Sequence, residues 1–262
     1  VGAASAADLV PENKRASAVA SMFMGLTVAI VTGVPLGTWI GQNFGWRATF
    51  WTVSAIGLVA LVGIAALLPR ALPKAEPASL MDQLRVLGSG RLLIVYGMTA
   101  LGYGGTFVAF TYLTPILQDI TGFSADSVSY ILVLYGIAIA IGNIVGGRIS
   151  NADPVRALTV LFVLQAIVLV LFSFSAVSPL FTLITLAALG FLQFANVPGL
   201  QLYVVQLAKE HRPGAVDVAS ALNIAAFNLG IALGAWLGGM VVESQLGLIS
   251  TPWVGAILVA SA

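Results

Sequence analysis

The chain has no cysteine and a single histidine, His211. Without cysteine there are no disulfides and no thiolate chemistry, and one histidine cannot build an imidazole metal cluster. Charge is scarce too. Asp, Glu, Lys and Arg together make up 8% of 262 residues, against about a quarter in a soluble domain, so the chain cannot cover a water-facing surface. The strict polar–apolar alternation of membrane-barrel strands is missing as well. What is present is 59% hydrophobic residues, several of them in uninterrupted runs longer than the roughly 18–20 residues a helical span needs. This is the composition of an all-α polytopic membrane protein. A net charge of +1 singles out no nucleic-acid partner, and the placement of the charges is more informative than their sum.

The chain starts at Val1 with nothing that resembles a signal peptide, and ends at Ala262 inside the apolar run 254–262. It reads as a window from a longer protein. Residues 1–10 look like the tail of a helix and Pro11 to Arg15 like a short charged loop. Apolar runs then predict helices over 17–40, 48–68, 92–117, 127–149, 155–174, 179–207 and 216–242, with a last helix opening near Pro252. Residues 69–91 hold Pro69, Pro73 and Pro77 and much of the charge, which marks a linker between two bundles. Successive loops alternate in charge. Ten of the eleven basic residues, Arg148, Arg156 and Lys209 among them, fall on one side and only Arg47 on the other. By the positive-inside rule the basic side is cytoplasmic.

Two stripes of small residues stand out. Gly33, Gly37 and Gly41 repeat every four residues around Pro35, and Gly230, Gly234 and Gly238 do so near the other end. Such spacing places the glycines along one helix face, where another backbone can approach closely. Each striped helix opens with Ala-Ser after a charged loop and is followed by a tryptophan early in the next helix. The offset is 199 residues for Ala20 and Ala219 and 202 for Trp51 and Trp253. A parallel repeat of this length fits two six-helix halves, with the striped helices fifth in each.

The run from Gly33 through Pro35, Gly37, Gly41, Gly45, Trp46 and Arg47 to Phe50 resembles the fifth-helix glycine-proline motif and following turn of the drug/proton antiporter branch of the major facilitator superfamily. Val34 precedes the proline here, and Thr38-Trp39 stand where that motif has a glycine pair. The run is most like the bacterial sugar-efflux and arabinose-efflux-like permeases. Gly142 to Arg156, with Gly146, Gly147, Arg148 and Asp153, is similar to the second-half copy of that family's cytoplasmic gating loop, whose usual Asp falls at Asn151. The resemblance implies a major facilitator fold of two six-helix bundles, truncated here at both ends. Residues 1–68 would be the end of the N-terminal bundle (tail of helix 4, helices 5 and 6), 69–91 the cytoplasmic linker, and 92–262 helices 7 to 11 with the start of 12.

Polar side chains within the spans matter because burying them in lipid is costly unless they meet a cavity or a partner. Residues 92–117 offer Tyr103, Phe107, Phe110 and Thr111; residues 179–207 offer Gln193, Phe194 and Asn196; residues 216–242 offer Asn223. The family's seventh and tenth helices line its central cavity, so the resemblance implies that these residues face a solute. Bonding between helices is the alternative reading for each. An aromatic and amide lining suits sugars, nucleosides or amphipathic drugs. The glycine stripes read either as a hinge or as ordinary packing. Arg148 and Asp153 read either as a lock on one access state or as solvated charge. His211 reads as a surface loop residue, and residues 155–174 as an apolar, lipid-facing helix.

The spans carry no paired carboxylates, His-based ligand set or Ser with His, so an enzyme is not expected, nor is a metal or cofactor. The resemblance implies a secondary transporter of a bacterial inner membrane, exporting a small organic solute by alternating access as a monomer, in antiport with protons. A uniporter or importer of the same fold is the alternative, and a non-transporting scaffold or sensor is the third reading.

Overall fold

The computed structural model describes residues 15–67, 88–211 and 215–262, and among them every regular element is helical. The long helices are α1 (Arg15–Phe44), α2 (Trp46–Leu67), α3 (Gly90–Phe110), α4 (Ala125–Ser150), α5 (Pro154–Ser175), α6 (Pro179–His211) and α7 (Val216–Glu243), followed by the shorter α8 (Thr251–Ala260). Six of them, α2 to α7, are long and apolar enough to cross a membrane. The protein is therefore an all-α polytopic membrane protein. The helix tail expected at 1–10, the loop at 11–14 and linker residues 69–87 lie outside the described residues.

The chain divides into two compact units, Val1–Pro77 and Ala78–Ala262. In the first, α1 runs unbroken through Pro35 and extends to Phe44 rather than ending at residue 40. Gly45 stops it, because its φ of +82° is open to glycine at little cost and strained for other residues. The chain then turns directly into α2, which packs back on α1. Thr49 donates to the Gly37 carbonyl at 3.2 Å, and the same threonine lies against Gly37 and Gly41. These two glycines of the first stripe admit α2, while Gly33 has nothing within 4 Å.

In the second unit α4 lies along α6 and α3 along α7, with α5 and α8 completing the bundle: α5 packs on α6 and α8, and α8 on α3. Both long pairings depend on glycine. A Cβ at Gly142 or Gly146 would sit 1.9 Å from the Phe191 carbonyl oxygen or 2.0 Å from that of Ala195. On the other pair, Gly230, Gly234 and Gly238 of the second stripe meet the Ala100, Gly104 and Val108 carbonyl oxygens at 2.5, 2.1 and 2.6 Å on the same test. The two helices thus touch backbone to backbone, which is how membrane helices gain contact area without a hydrophobic driving force between them. At one end of the bundle Leu92, Val95 and Tyr96 of α3 bury against Val204 and Ala208 of α6 and Ala219 of α7.

Helix ends follow local chemistry. Ser124 caps α4 by accepting from the Ser127 amide at 3.3 Å. The α3 helix was expected to run to residue 117 but ends at Phe110. Pro115 removes the amide that would bond to the Thr111 carbonyl. The chain instead makes a short helical turn over Leu113–Pro115 and a wider, π-helical one over Ile116–Ile120.

Candidate functional site

Tyr103, Phe107 and Phe110 recur along one face of α3, the spacing that lets side chains three and four apart meet. The Tyr103 ring centroid lies 5.2 Å from Phe107, 5.8 Å from Phe194 of α6 and 4.9 Å from Phe227 of α7. Phe107 meets Phe110 at 5.2 Å, and Phe110 stacks on Tyr135 of α4 at 5.5 Å. Six rings from four helices therefore form one continuous strip. The Tyr103 hydroxyl makes no hydrogen bond among the described residues.

Beside this strip run three sets of hydrogen bonds between side chains of different helices. Thr99 donates to Asn223 Oδ1 at 2.7 Å, Asn223 Nδ2 donates to Gln201 Oε1 at 2.9 Å, and Gln201 Nε2 donates to Ser220. Asn196 Nδ2 donates to Gln165 Oε1 at 2.8 Å, and Gln165 Nε2 donates to Thr106. The Tyr135 hydroxyl donates to Gln193 Oε1. Thr99, Thr106, Gln165, Gln193, Asn196 and Asn223 are all completely buried. An amide is buried at tolerable cost only when it is hydrogen-bonded. Two of these amides are only half satisfied, since Gln193 Nε2 and Asn196 Oδ1 have no partner.

The structure thus brings together Tyr103, Phe107, Phe110 and Phe194 as ring neighbours. Gln193 joins α6 to α4 and Asn196 joins α6 to α5, and Asn223 belongs to the separate set around Gln201. Thr111 is exposed and returns its hydroxyl to the Phe107 carbonyl at 2.8 Å, so it stands apart from the cluster. In the gating-loop motif, Gly146 is pressed against α6, while a Cβ at Gly147 would make only ordinary contact with Pro198 at 3.7 Å. Arg148 is exposed. Asp153 caps α5, its Oδ1 accepting from the Arg156 amide at 3.1 Å, and Pro154 follows at the first helical position. Removal of this cap by Asp153→Ala is expected to lower stability by about 1 kcal/mol, with Asp153→Ser or Asp153→Asn retaining most of it. Thermal unfolding of the full-length protein in detergent checks this. If Asn or Ser proves as damaging as Ala, the carboxylate works through its charge instead.

The sequence reading passed over Gln165, Tyr135 and Thr99 and misplaced His211. Gln165 is the one amide in α5, a helix read as lipid-facing, and it is in fact the junction between α3 and α6. An amide isolated in an otherwise apolar span was the available signal. Tyr135, flanked by Leu134 and Gly136, carried none beyond its own polarity. His211 is not in a loop. It is the last residue of α6; its Nε2 accepts from the Arg91 guanidinium at the start of α3, and its Nδ1 lies 3.1 Å from the Leu207 carbonyl oxygen. Glu210 stands 3.8 Å from the ring. This contact puts the first turn of α3 and the last turn of α6 at the same end of the bundle.

A glycine-zipped helical bundle with a buried amide and aromatic face is the setting in which comparison with known proteins is informative. Residues 1–217 match the family model described as Major Facilitator Superfamily. The chain belongs to that superfamily. It is 55% identical over 262 residues to a relative from Bacillus subtilis strain 168 named "Uncharacterized MFS-type transporter YtbD", covering all of this chain and 66% of that protein. It is 32% identical over 255 residues to a "Probable sugar efflux transporter" of Mannheimia succiniciproducens, covering 95% of this chain and 62% of the relative. The superfamily chain thus spans a little under two thirds of the length of these relatives. Among solved structures, an inward-facing, unoccupied bacterial homologue of the human lysosomal transporter Spinster aligns with a TM-score of 0.65 at 18% identity, over 98% of this chain and 70% of that one. At that identity the likeness is one of fold.

Proposed function

We propose that the full-length protein is a secondary active transporter that moves a small organic solute out of a bacterial cell by alternating access, in exchange for protons. The observation that carries this reading is the convergence of buried amides and half-buried rings from α3, α6 and α7 in a bundle that is otherwise apolar. Polar groups placed at membrane depth are costly and mark a solute path more often than a packing need. Relatives named as transporters, one of them "Probable sugar efflux transporter", support the class. The bacterial relatives and the concentration of basic residues at the ends of α3, α4, α5 and α6 support an inner-membrane protein with those ends in the cytoplasm. Asp, Glu, Lys, Arg and His are absent from the middle of these spans, so the carboxylate that antiport with protons requires lies outside them.

Counterflow in proteoliposomes of the full-length protein, with lactose, uridine and tetraphenylphosphonium as probes and an imposed pH gradient, tests this. Flux driven by the gradient is the expected result, and flux indifferent to it removes antiport in favour of a uniporter. Asn196→Leu is expected to abolish flux at normal expression. Unaltered flux in that variant would take the amide face out of the solute path.

A further inference from the structure

A primary amide presents a donor and an acceptor side by side. Tyr135 occupies the carbonyl of Gln193 and leaves Nε2 bare, whereas Gln165 occupies the NH₂ of Asn196 and leaves Oδ1 bare. The two bare atoms belong to residues three apart on α6, whose side chains are neighbours on one helix face, about 5–6 Å apart at Cβ. Native interiors rarely leave such groups unpaired, and two complementary ones side by side call for one explanation.

We propose that Gln193 and Asn196 together recognise a neutral hydroxyl or amide edge of the solute, with Tyr135 and Gln165 as positioning residues that set the polarity of the pair. This rests on the transport reading above. A hydroxyl accepts from Nε2 and donates to Oδ1 through one oxygen, and the edge of a nucleobase does so through two adjacent atoms. A carboxylate or phosphate would satisfy Nε2 but face the lone pairs of Oδ1, and an ammonium group fails in the opposite way. The match holds in this arrangement and in the one where both sets turn together. If Thr106 donates to Gln165, Gln165 to Asn196, and Gln193 to Tyr135, the bare donor and acceptor exchange places, but one of each remains. The rings of Tyr103 and Phe194 lie close by and suit the apolar face of a sugar or base. Both amides are completely buried in this conformation, so the pair is occluded and becomes available to solute in another access state.

The experiment uses full-length protein in proteoliposomes, with lactose, uridine and tetraphenylphosphonium as probes. Wild type is expected to move lactose or uridine. Gln193→Glu keeps the shape and the acceptor for Tyr135 but lacks a donor when ionised. Its flux, taken relative to wild type at the same pH, falls about tenfold near pH 10 and recovers near pH 6, where a protonated carboxyl supplies the donor again. Gln165→Leu frees the amide of Asn196 to turn, and raises KM about tenfold while leaving the maximal rate within about twofold. A Gln193→Glu flux ratio that is the same at both pH values overturns the proposal, as does a Gln165→Leu effect on the maximal rate alone. Wild type that moves only tetraphenylphosphonium overturns the hydroxyl-or-amide class and leaves transport standing. Wild type that moves none of the probes overturns both.

Discussion

Gly146→Ala is expected to destabilise the full-length protein by about 3 kcal/mol, the upper end of what overpacking costs, and to sharply lower the amount recovered from membranes. The added methyl would sit 2.0 Å from the Ala195 carbonyl oxygen. Real Cβ atoms do not come so close, so α4 and α6 must part. Because the obstacle is backbone, no change of side chain at Ala195 relieves it, and Ala195→Gly is expected not to rescue the variant. Gly147→Ala, one residue along, meets only Pro198 at 3.7 Å and is expected to stay within about 0.5 kcal/mol of wild type. Thermal unfolding of the three variants side by side decides it. Equal loss from Gly146→Ala and Gly147→Ala would mean that the pair acts as one hinge, as the motif alone would have it. Near-neutrality of both would mean that α4 and α6 are free to separate.

That contrast shows where the sequence stops being legible. A four-residue period says that Gly230, Gly234 and Gly238 share a face of α7, and the structure finds all three packed against α3. The period cannot say which helix the face meets. For Gly33, Gly37 and Gly41 the same spacing yields contact at two positions, against Thr49, and none within 4 Å at the third. Gly146 and Gly147 are adjacent in one motif, yet they point about 100° apart around the helix, and only one of them touches the neighbouring backbone. Fold class, the long helices of the described residues and the aromatic face of α3 were legible because hydrophobicity and helical period encode them locally. Asp153 was read either as a lock on one access state or as solvated charge, and the structure adds a local role at the N-cap of α5, immediately before Pro154, that its position already signalled. The Thr106–Gln165–Asn196 set was not legible, because its members lie 59 and 31 residues apart in sequence and only the packing of three helices brings them together. His211 was misplaced for a related reason. The charged run 209–212 resembles a loop, but α6 holds its helix through His211, whose ring meets Arg91 across 120 residues of sequence.

Gln165→Leu carries the other large effect. A hydrogen bond between membrane helices is worth on average only about 0.6 kcal/mol, since the unfolded chain in lipid also finds partners. The lost bonds alone would therefore matter little. The larger cost comes from Asn196, whose Oδ1 is already bare and whose Nδ2 would be stranded too; a buried donor left in this way costs about 1–3 kcal/mol. Thr106 suffers less, because its hydroxyl can turn to a carbonyl of its own helix. A total near 2 kcal/mol is expected. Removing the stranded amide as well, in Gln165→Leu/Asn196→Leu, is expected to restore about 1 kcal/mol relative to the single variant, a coupling typical of residues in direct contact. The double variant is nevertheless expected to transport nothing, since the acceptor proposed to meet the solute is gone. Thermal unfolding and flux, measured on the same preparations, then move in opposite directions. Residues kept for packing cannot produce that divergence: if Asn196 only bonds helices together, flux in the double variant recovers along with stability.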